Sequence, residues 1–473
     1  MEDFFLGEDV ERTGRRRSGR PRNAVVGTAA ARGNACGMRI VHITAGAGGR
    51  ICGSCLHDNA LVRALRARGR DALLVPAYVP TTTDEENVAE KRIVLGGVNV
   101  WLQEHSAFFR HTPWFVDRLL DARGLLQWLS GRTGSTRPED LGPLTVSSLE
   151  GERGRQRKEV EKLVRWLASD TRPDVVHLSN VLLTGLARRI REATGAGIVC
   201  TLSGEDLFVG QLAEPHRTRA RSLLVENARG IDRFVALNRF YADFMGDTLA
   251  VPPERIAVVP HGVDPAGYPE TAPDLAARRR ARRGRFAIGF LARGCREKGL
   301  HLLARALGML VAEGRDVEVI AAGATIDAER PFIEECRWIA EKAGAADRFH
   351  WLGQVDRGGK LALLRAVDCL ALPAVHPEAK GIPAIEAFTA GLPVVAADSG
   401  VFPEYVGGSG EPVVGLLHRA GDADDLARRL AEIQDDVDRA AEFGRRAFML
   451  ARDRYTPERM AAGHEAVYES VVG

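Results

Sequence analysis

Between Cys369 and Ala397 the chain reads as a buried strand, a tight turn, a short helix and a second strand, an order that fits layered α/β folds. The apolar run Cys369 to Leu372 is the first strand. Gly381 lets the backbone turn, Pro383 suits the first position of a helix, and Gly391 stops it before Pro393 opens the strand Val394 to Ala397. The N–H groups of Gly381, Ile382 and Ala384 at the helix start would form an anion site, to which Pro383 contributes no donor. Glu378 lies in the loop before the helix and Glu386 about one turn inside it. A carboxylate repels phosphate but accepts hydrogen bonds from vicinal hydroxyls. Phosphate at the amides and hydroxyls at two acids describe a nucleotide-sugar.

The same alternation runs through most of the chain. Arg39 to Thr44, Ala72 to Pro76, Asp174 to Leu178, Ile198 to Leu202, Phe234 to Leu237 and Ile256 to Val259 read as short strands. Further strands near residues 286, 317, 349, 369 and 394 alternate with helical patterns in the same way. Two doubly wound halves result, with a joint around residues 261 to 284, where Ala276 to Arg285 is arginine-rich.

Phe286 to Ala292 is a strand ending in Arg293, and Glu297-Lys298-Gly299-Leu300 opens the next helix. Arg293 and Lys298 are suited to a leaving diphosphate, one as a planar fork and the other as a mobile point charge. Together with Glu378, seven intervening residues, Glu386 and Gly391-Leu392-Pro393-Val394-Val395, they resemble the signature of family-4 retaining glycosyltransferases of the GT-B fold. Ile256 to Asp264, with His261 where the family usually has Asn, His350 to Val355, and Gly415 to Asp422 resemble further family stretches. Ala292 stands where the family usually has Gly. The resemblance runs from about Met38 to the end and is strongest from 255 to 430. It implies two Rossmann-like domains facing across a cleft, with Glu378 on the donor sugar and Glu386 on the ribose. It also implies a final helix, Pro457 to Val472, crossing back onto the first domain. The expected boundaries are a tail at 1–37, an acceptor domain at 38–262, a donor domain at 263–456 and the crossing helix at 457–473.

Composition narrows the class. A chain of 473 residues is long for one core, and a net charge of +2 gives no overall electrostatic case for nucleic acid. No stretch approaches the ~20 apolar residues of a membrane span. The acidic start Met1-Glu2-Asp3 lacks the order of a signal peptide. Seven cysteines, an odd number, suit reduced thiols in the cytosol. Residues 1 to 37 carry the basic run Gly14 to Arg22, readable as a flexible tail with affinity for anionic surfaces or as an unselected segment before a natural start at Met38.

The glycine loop Gly46-Ala47-Gly48-Gly49-Arg50 follows the first strand, where glycines let backbone approach the donor phosphates. Beside it, Cys52-Gly53-Ser54-Cys55 has three readings: a redox pair, two zinc ligands, or two small side chains wedging a helix. On the acceptor side, Thr201 to Asp206 resembles the family's Thr-x-His-Gly-x-Asp with Ser203 in place of His, while His177 is present and Ser179 replaces a second frequent His. Glu205 and Asp206 either serve the acceptor or cap the following helix. Trp101, Phe108, Phe109, Trp114, Phe115 and Trp128 lie among arginines. That stretch would rest on a membrane, build core helices or wall an acceptor site. Asp422-Ala423-Asp424 is explained by helix capping rather than by metal.

These readings converge on a cytoplasmic hexosyltransferase, with peripheral contact to the inner membrane face left open. It would use a nucleotide-diphosphate sugar and a carbohydrate or lipid-linked acceptor, without metal or other cofactor and without nucleic acid. Catalysis falls to Arg293, Lys298 and Glu378; donor binding to Gly48, Gly49, Gly381, Ile382, Pro383 and Glu386; the acceptor side to His177, Glu205 and Asp206. An α-glucan polymerase like glycogen or starch synthase, faintly matched by Gly96 to Val100, and a non-catalytic nucleotide-sugar sensor remain as alternatives.

Overall fold

A computed structural model describes residues 37–46, 53–90, 93–95, 141–281, 284–407 and 412–472. The tail, Gly48, Gly49, Cys52 and the aromatic stretch 101–132 lie outside the described residues. The first sheet contains β1 (Arg39–Thr44), β2 (Asp71–Pro76), β3 (Val175–Leu178), β4 (Gly197–Leu202), β5 (Arg233–Ala236) and β6 (Ile256–Val258), in the order β2-β1-β3-β4-β5-β6. The second contains β7 (Phe286–Leu291), β8 (Val317–Ala322), β9 (Phe349–Trp351), β10 (Cys369–Leu372), β11 (Val394–Ala397) and β12 (Gly415–His418), in the order β12-β11-β10-β7-β8-β9. Every pairing in both sheets is parallel.

Helices cover both faces of each sheet, which is why β3, β4, β7, β10 and β11 are buried along their whole length and read as continuous apolar runs. The chain therefore has the GT-B architecture of two Rossmann-like sheets. The expected helix spans Ile382–Thr389, with Gly381 at its cap and Pro383 at its second rather than its first position. Asp422 caps the helix Ala423–Asp435 by accepting from the Asp425 N–H at 2.9 Å, as capping required. Among the described residues no helix is long and apolar enough to cross a membrane.

The last helix, Pro457–Glu469, returns to pack on the helix Gly53–Ala67 that follows β1. Thr456 caps it. Glu465 accepts from Arg68 Nη2 at 2.7 Å and Arg70 Nε at 2.9 Å, and those hydrogen bonds, the Arg68 one foremost, hold its carboxyl down to about 2. Beneath lies a buried cluster of histidines. His177 Nδ1 is 2.7 Å from the Tyr468 hydroxyl and its Nε2 is 2.7 Å from Thr201 Oγ1. His57 Nδ1 meets His261 Nδ1 at 3.1 Å, His464 Nδ1 donates to the Met460 carbonyl at 2.9 Å, and His42 Nε2 lies 3.0 Å from Asp58 Oδ1.

Burial is the main cause that depresses these imidazoles: His57 and His177 fall well below the ordinary range, His261 to about 3 and His464 to about 4. Unfolding lets each take up a proton below pH ~6.5, so the unfolded state binds more protons across that window. Stability is thus full above pH ~6.5 and declines as pH falls toward 4, by at most about 1.4 kcal/mol per unit for each such histidine. A series of melting temperatures from pH 7.5 to 4.5 should show this decline, and His261→Asn should make it shallower by one group's share. A parallel decline in the variant would remove His261 from the account.

Candidate active site

The strand order reverses between β1 and β3 in the first sheet and between β7 and β10 in the second. Ligands of doubly wound sheets sit beyond the carboxyl ends of strands at such points. The loops leaving these strands border one cleft, with a cavity of about 340 Å³ lined by Gly53, Ser54, Asp84, Ser203 and Asp206 from the first half and Arg293, Lys298, Lys360, Glu378, Lys380 and Glu386 from the second.

Glu378 is fixed on all sides. Its Oε1 accepts from the amides of Lys380 at 3.2 Å and Gly381 at 3.4 Å, its Oε2 pairs with Lys298, and its carbonyl accepts from Val401 N at 2.9 Å. Burial pushes its carboxyl up, but the Lys298 charge and hydrogen bond outweigh that and hold it at about 2. The expected anion cradle is therefore altered. The Gly381 amide is engaged by Glu378, and the Ala384 amide donates to the Gly381 carbonyl at 2.9 Å, leaving Ile382 and Pro383 as pocket lining. Of the three donors expected to face phosphate, the Glu378 carboxylate takes that of Gly381 and a backbone carbonyl takes that of Ala384.

Glu386 lines the same cavity. Its Oε1 accepts from Lys360 at 2.6 Å, and Lys360 also pairs with Asp84 of the first half. Burial would lower the Lys360 ammonium, but the Glu386 and Asp84 charges and hydrogen bonds push it up to about 12. Next to this bridge, Arg357 donates to Glu85 Oε1 at 3.2 Å, and Arg63 donates to Glu85 Oε2 at 2.8 Å. Arg293 is half exposed, with Glu329 Oε1 3.8 Å away, so its guanidinium is only loosely held at the lip of the cavity.

The acceptor-side expectations need correction at two positions. His177 is fully buried between Tyr468 and Thr201 and does not line the cavity, because the pleat of β3 turns it toward the returning helix. Glu205 neither lines the cavity nor caps a helix with its side chain. It reaches back to the Ser203 N–H at 3.0 Å and Ser203 Oγ at 2.9 Å, and burial raises its carboxyl. Asp206 does reach the cavity, accepting from Tyr241 Oη at 2.8 Å with His376 Nε2 at 3.2 Å.

Sequence reasoning missed three residues of the cleft. Asp84 and Lys360 form the bridge at Glu386. Lys380 crosses from the second half to donate to Ser54 Oγ at 2.9 Å and the Ser203 carbonyl at 2.7 Å. Its place two residues after Glu378 was the available signal. The five described cysteines, Cys55 among them, are buried and outside any disulfide. Among the described residues no group of three or more His, Cys, Asp or Glu has an arrangement that could hold a metal ion.

Two family models match side by side: "Glycosyltransferase Family 4" over residues 59–266 and "Glycosyl transferases group 1" over residues 274–448. The chain belongs to the family-4-type glycosyltransferases of the GT-B fold. Among curated members, the 2-deoxystreptamine glucosyltransferase of Streptomyces kanamyceticus is 29% identical over 237 residues, 48% of this chain and 57% of the relative. The lipopolysaccharide core biosynthesis mannosyltransferase of Rhizobium leguminosarum bv. viciae is 29% identical over 56% of this chain and 71% of its own length. The chain thus spans less than two thirds of the first of these relatives.

Solved GT-B structures superpose along most of the chain. Anabaena HepE in complex with UDP gives a TM-score of 0.64 at 18% identity, covering 92% of this chain and 100% of that one. Sucrose-phosphate synthase of Thermosynechococcus elongatus gives 0.66 at 16%, covering 91% and 98%. At these identities the likeness is one of fold.

Gly381 holds the family loop in its shape. Its φ of +63° is left-handed, and an added Cβ would sit 2.8 Å from the Tyr405 ring and 2.9 Å from Val401 Cγ1. Gly381→Ala should cost about 1–3 kcal/mol in urea unfolding. An unchanged midpoint would mean that the loop adjusts freely.

Proposed function

We propose that this chain transfers a hexose from a nucleotide-diphosphate sugar to an acceptor hydroxyl with retention of configuration. The observation that carries the reading is the placement of Arg293, Lys298, Glu378 and Glu386 around one cavity between the sheets, two cations beside two carboxylates. Arg293 and Lys298 would take the diphosphate and stabilise charge as the leaving oxygen departs. Glu378, locked by two amides and Lys298, would accept hydrogen bonds from the sugar, and Glu386 from the ribose. The bond from C1 to phosphate breaks while the bond from C1 to the acceptor oxygen forms on the same face. The acceptor's proton passes to the leaving phosphate, so no protein nucleophile is needed.

The printed activities of the relatives, a glucosyltransferase and a mannosyltransferase, support a hexose. A solved GT-B neighbour bound to UDP and glucose supports a nucleotide-sugar donor. The acceptor would be a carbohydrate or a lipid-linked one, as a lipopolysaccharide-core and a phosphatidyl-inositol mannosyltransferase among the relatives suggest.

Thermal melts against UDP-, GDP- and ADP-sugars test the donor site. Ligand at about 100 times its dissociation constant adds ~2.7 kcal/mol, visible as a rise in melting temperature. One base should give that rise, and Arg293→Ala/Lys298→Ala should abolish it. No rise with any donor at millimolar concentration would count against the reading. Once an acceptor is found, NMR of the product should show the donor's anomeric configuration kept; an inverted product would overturn the mechanism. Donor binding without transfer to any acceptor would instead indicate a sensor.

A further inference from the structure

The bridge at the far end of the cavity contains more charge than holding Glu386 requires. Lys360 pairs with Glu386 Oε1 and with Asp84, so two carboxylates from opposite halves share one ammonium. Asp84 is 3% exposed at its side chain, yet its Oδ1 has no hydrogen-bond partner among the described residues. The position is built rather than accidental. Asn59 of the helix Gly53–Ala67 fastens the loop by donating to the Glu86 carbonyl and accepting from Val88 N, each at 2.9 Å. Asn87 Nδ2 donates to the Thr81 carbonyl at 2.9 Å, and Glu85 is held by Arg63 and Arg357.

A buried carboxylate oxygen without a donor is costly, and the cost is recovered when a ligand brings the donor. Asp84 and Glu386 both line the cavity, and contact with one ammonium keeps Asp84 Oδ2 and Glu386 Oε1 less than two hydrogen-bond lengths apart. That span fits a pair of vicinal hydroxyls, which offers two O–H donors.

We propose that Asp84 is a ribose-binding residue supplied by the opposite half, which takes one hydroxyl of the donor nucleotide's diol while Glu386 takes the other. Lys360 is the positioning residue that holds the two acids adjacent. Nucleotide binding then ties the two halves together through the ribose. This inference rests on the donor-site reading above.

The test uses full-length protein and the nucleoside diphosphate, UDP, GDP or ADP, that binds it best, compared by calorimetry with the 2′,3′-dideoxy form. Wild type should prefer the ribose form. Asp84→Ala should weaken that form at least about tenfold, the worth of one hydrogen bond to a charged group, and leave the dideoxy form unchanged. Asp84→Asn gives the same comparison if the alanine variant does not fold.

Equal weakening of both forms, or of neither, would make Asp84 merely structural and overturn the proposal. A ribose preference that survives in Asp84→Ala and disappears only in Glu386→Gln would assign the diol to Glu386 alone. Because the probe carries no hexose, a diol supplied by the sugar would also appear as no effect. Wild-type binding without ribose preference would overturn this inference and spare the donor site, whereas no nucleotide binding at all would overturn both.

Discussion

Two parallel sheets whose carboxyl ends border one cleft need a fixed relation between them, and here the chain supplies it by passing the joint twice. The segment leaving β6 and the segment entering the last helix run side by side: Val263 N donates to the Tyr455 carbonyl at 2.9 Å, and an added Cβ at Gly262 would lie 2.4 Å from the Thr456 carbonyl oxygen. The last helix then clamps the first sheet through the Arg68–Glu465–Arg70 pair and the buried contact of Tyr468 with His177. Residues from opposite halves can meet at hydrogen-bonding distance only because this double crossing sets where each sheet's loops arrive. The cleft chemistry depends on packing far from the cleft.

That chemistry is one of matched charge. Glu378 faces Lys298, Glu386 faces Lys360, and Lys380 reaches across to Ser54 and Ser203. Buried pairs of this sort recover little net stability, because desolvation of the ions offsets their attraction. Their value lies in orientation: charges already in place need not reorganise to meet charge on a ligand in the cavity. A ligand entering the cavity must exchange partners with these lysines, so affinity reflects the difference between two well-satisfied arrangements.

The fold was legible because parallel strands are buried on both faces and stand out as unbroken apolar runs, as in Ile198 to Leu202 or Val394 to Ala397. β12 was not read as a strand: Gly415–His418 has only Leu416 and Leu417 between a glycine and a histidine, so no unbroken apolar run marks it. Within the site, Arg293, Lys298, Glu378 and Glu386 could be found because each sits at a fixed offset from a strand end. Their partners could not. Asp84 lies in an irregular loop far along the chain from Lys360, and only the packed sheets bring them together. His177 was misplaced for a related reason: which face of a buried strand meets the cleft is decided by tertiary packing, here by Tyr468. Glu205 read as an acceptor-side residue or a helix cap from its position, but bonds two residues back to Ser203 engage it instead.

Ser203 shows how the two halves share one corner of the cavity. A small residue at the end of β4 leaves room in the corner of the cavity, and Lys380 fills it from the other half with its ammonium on the Ser203 carbonyl. Two of the three N–H groups of that ammonium are used by Ser203 and Ser54, and the third has no hydrogen-bond partner among the described residues. A donor carried by residue 203 would belong to the first half whatever the second half did. Placed on residue 380, the donor sits on the same loop as Glu378, and its contact with the first half exists only while the cleft holds this geometry. The polar lining at this corner of the cavity is thus built by the two halves together.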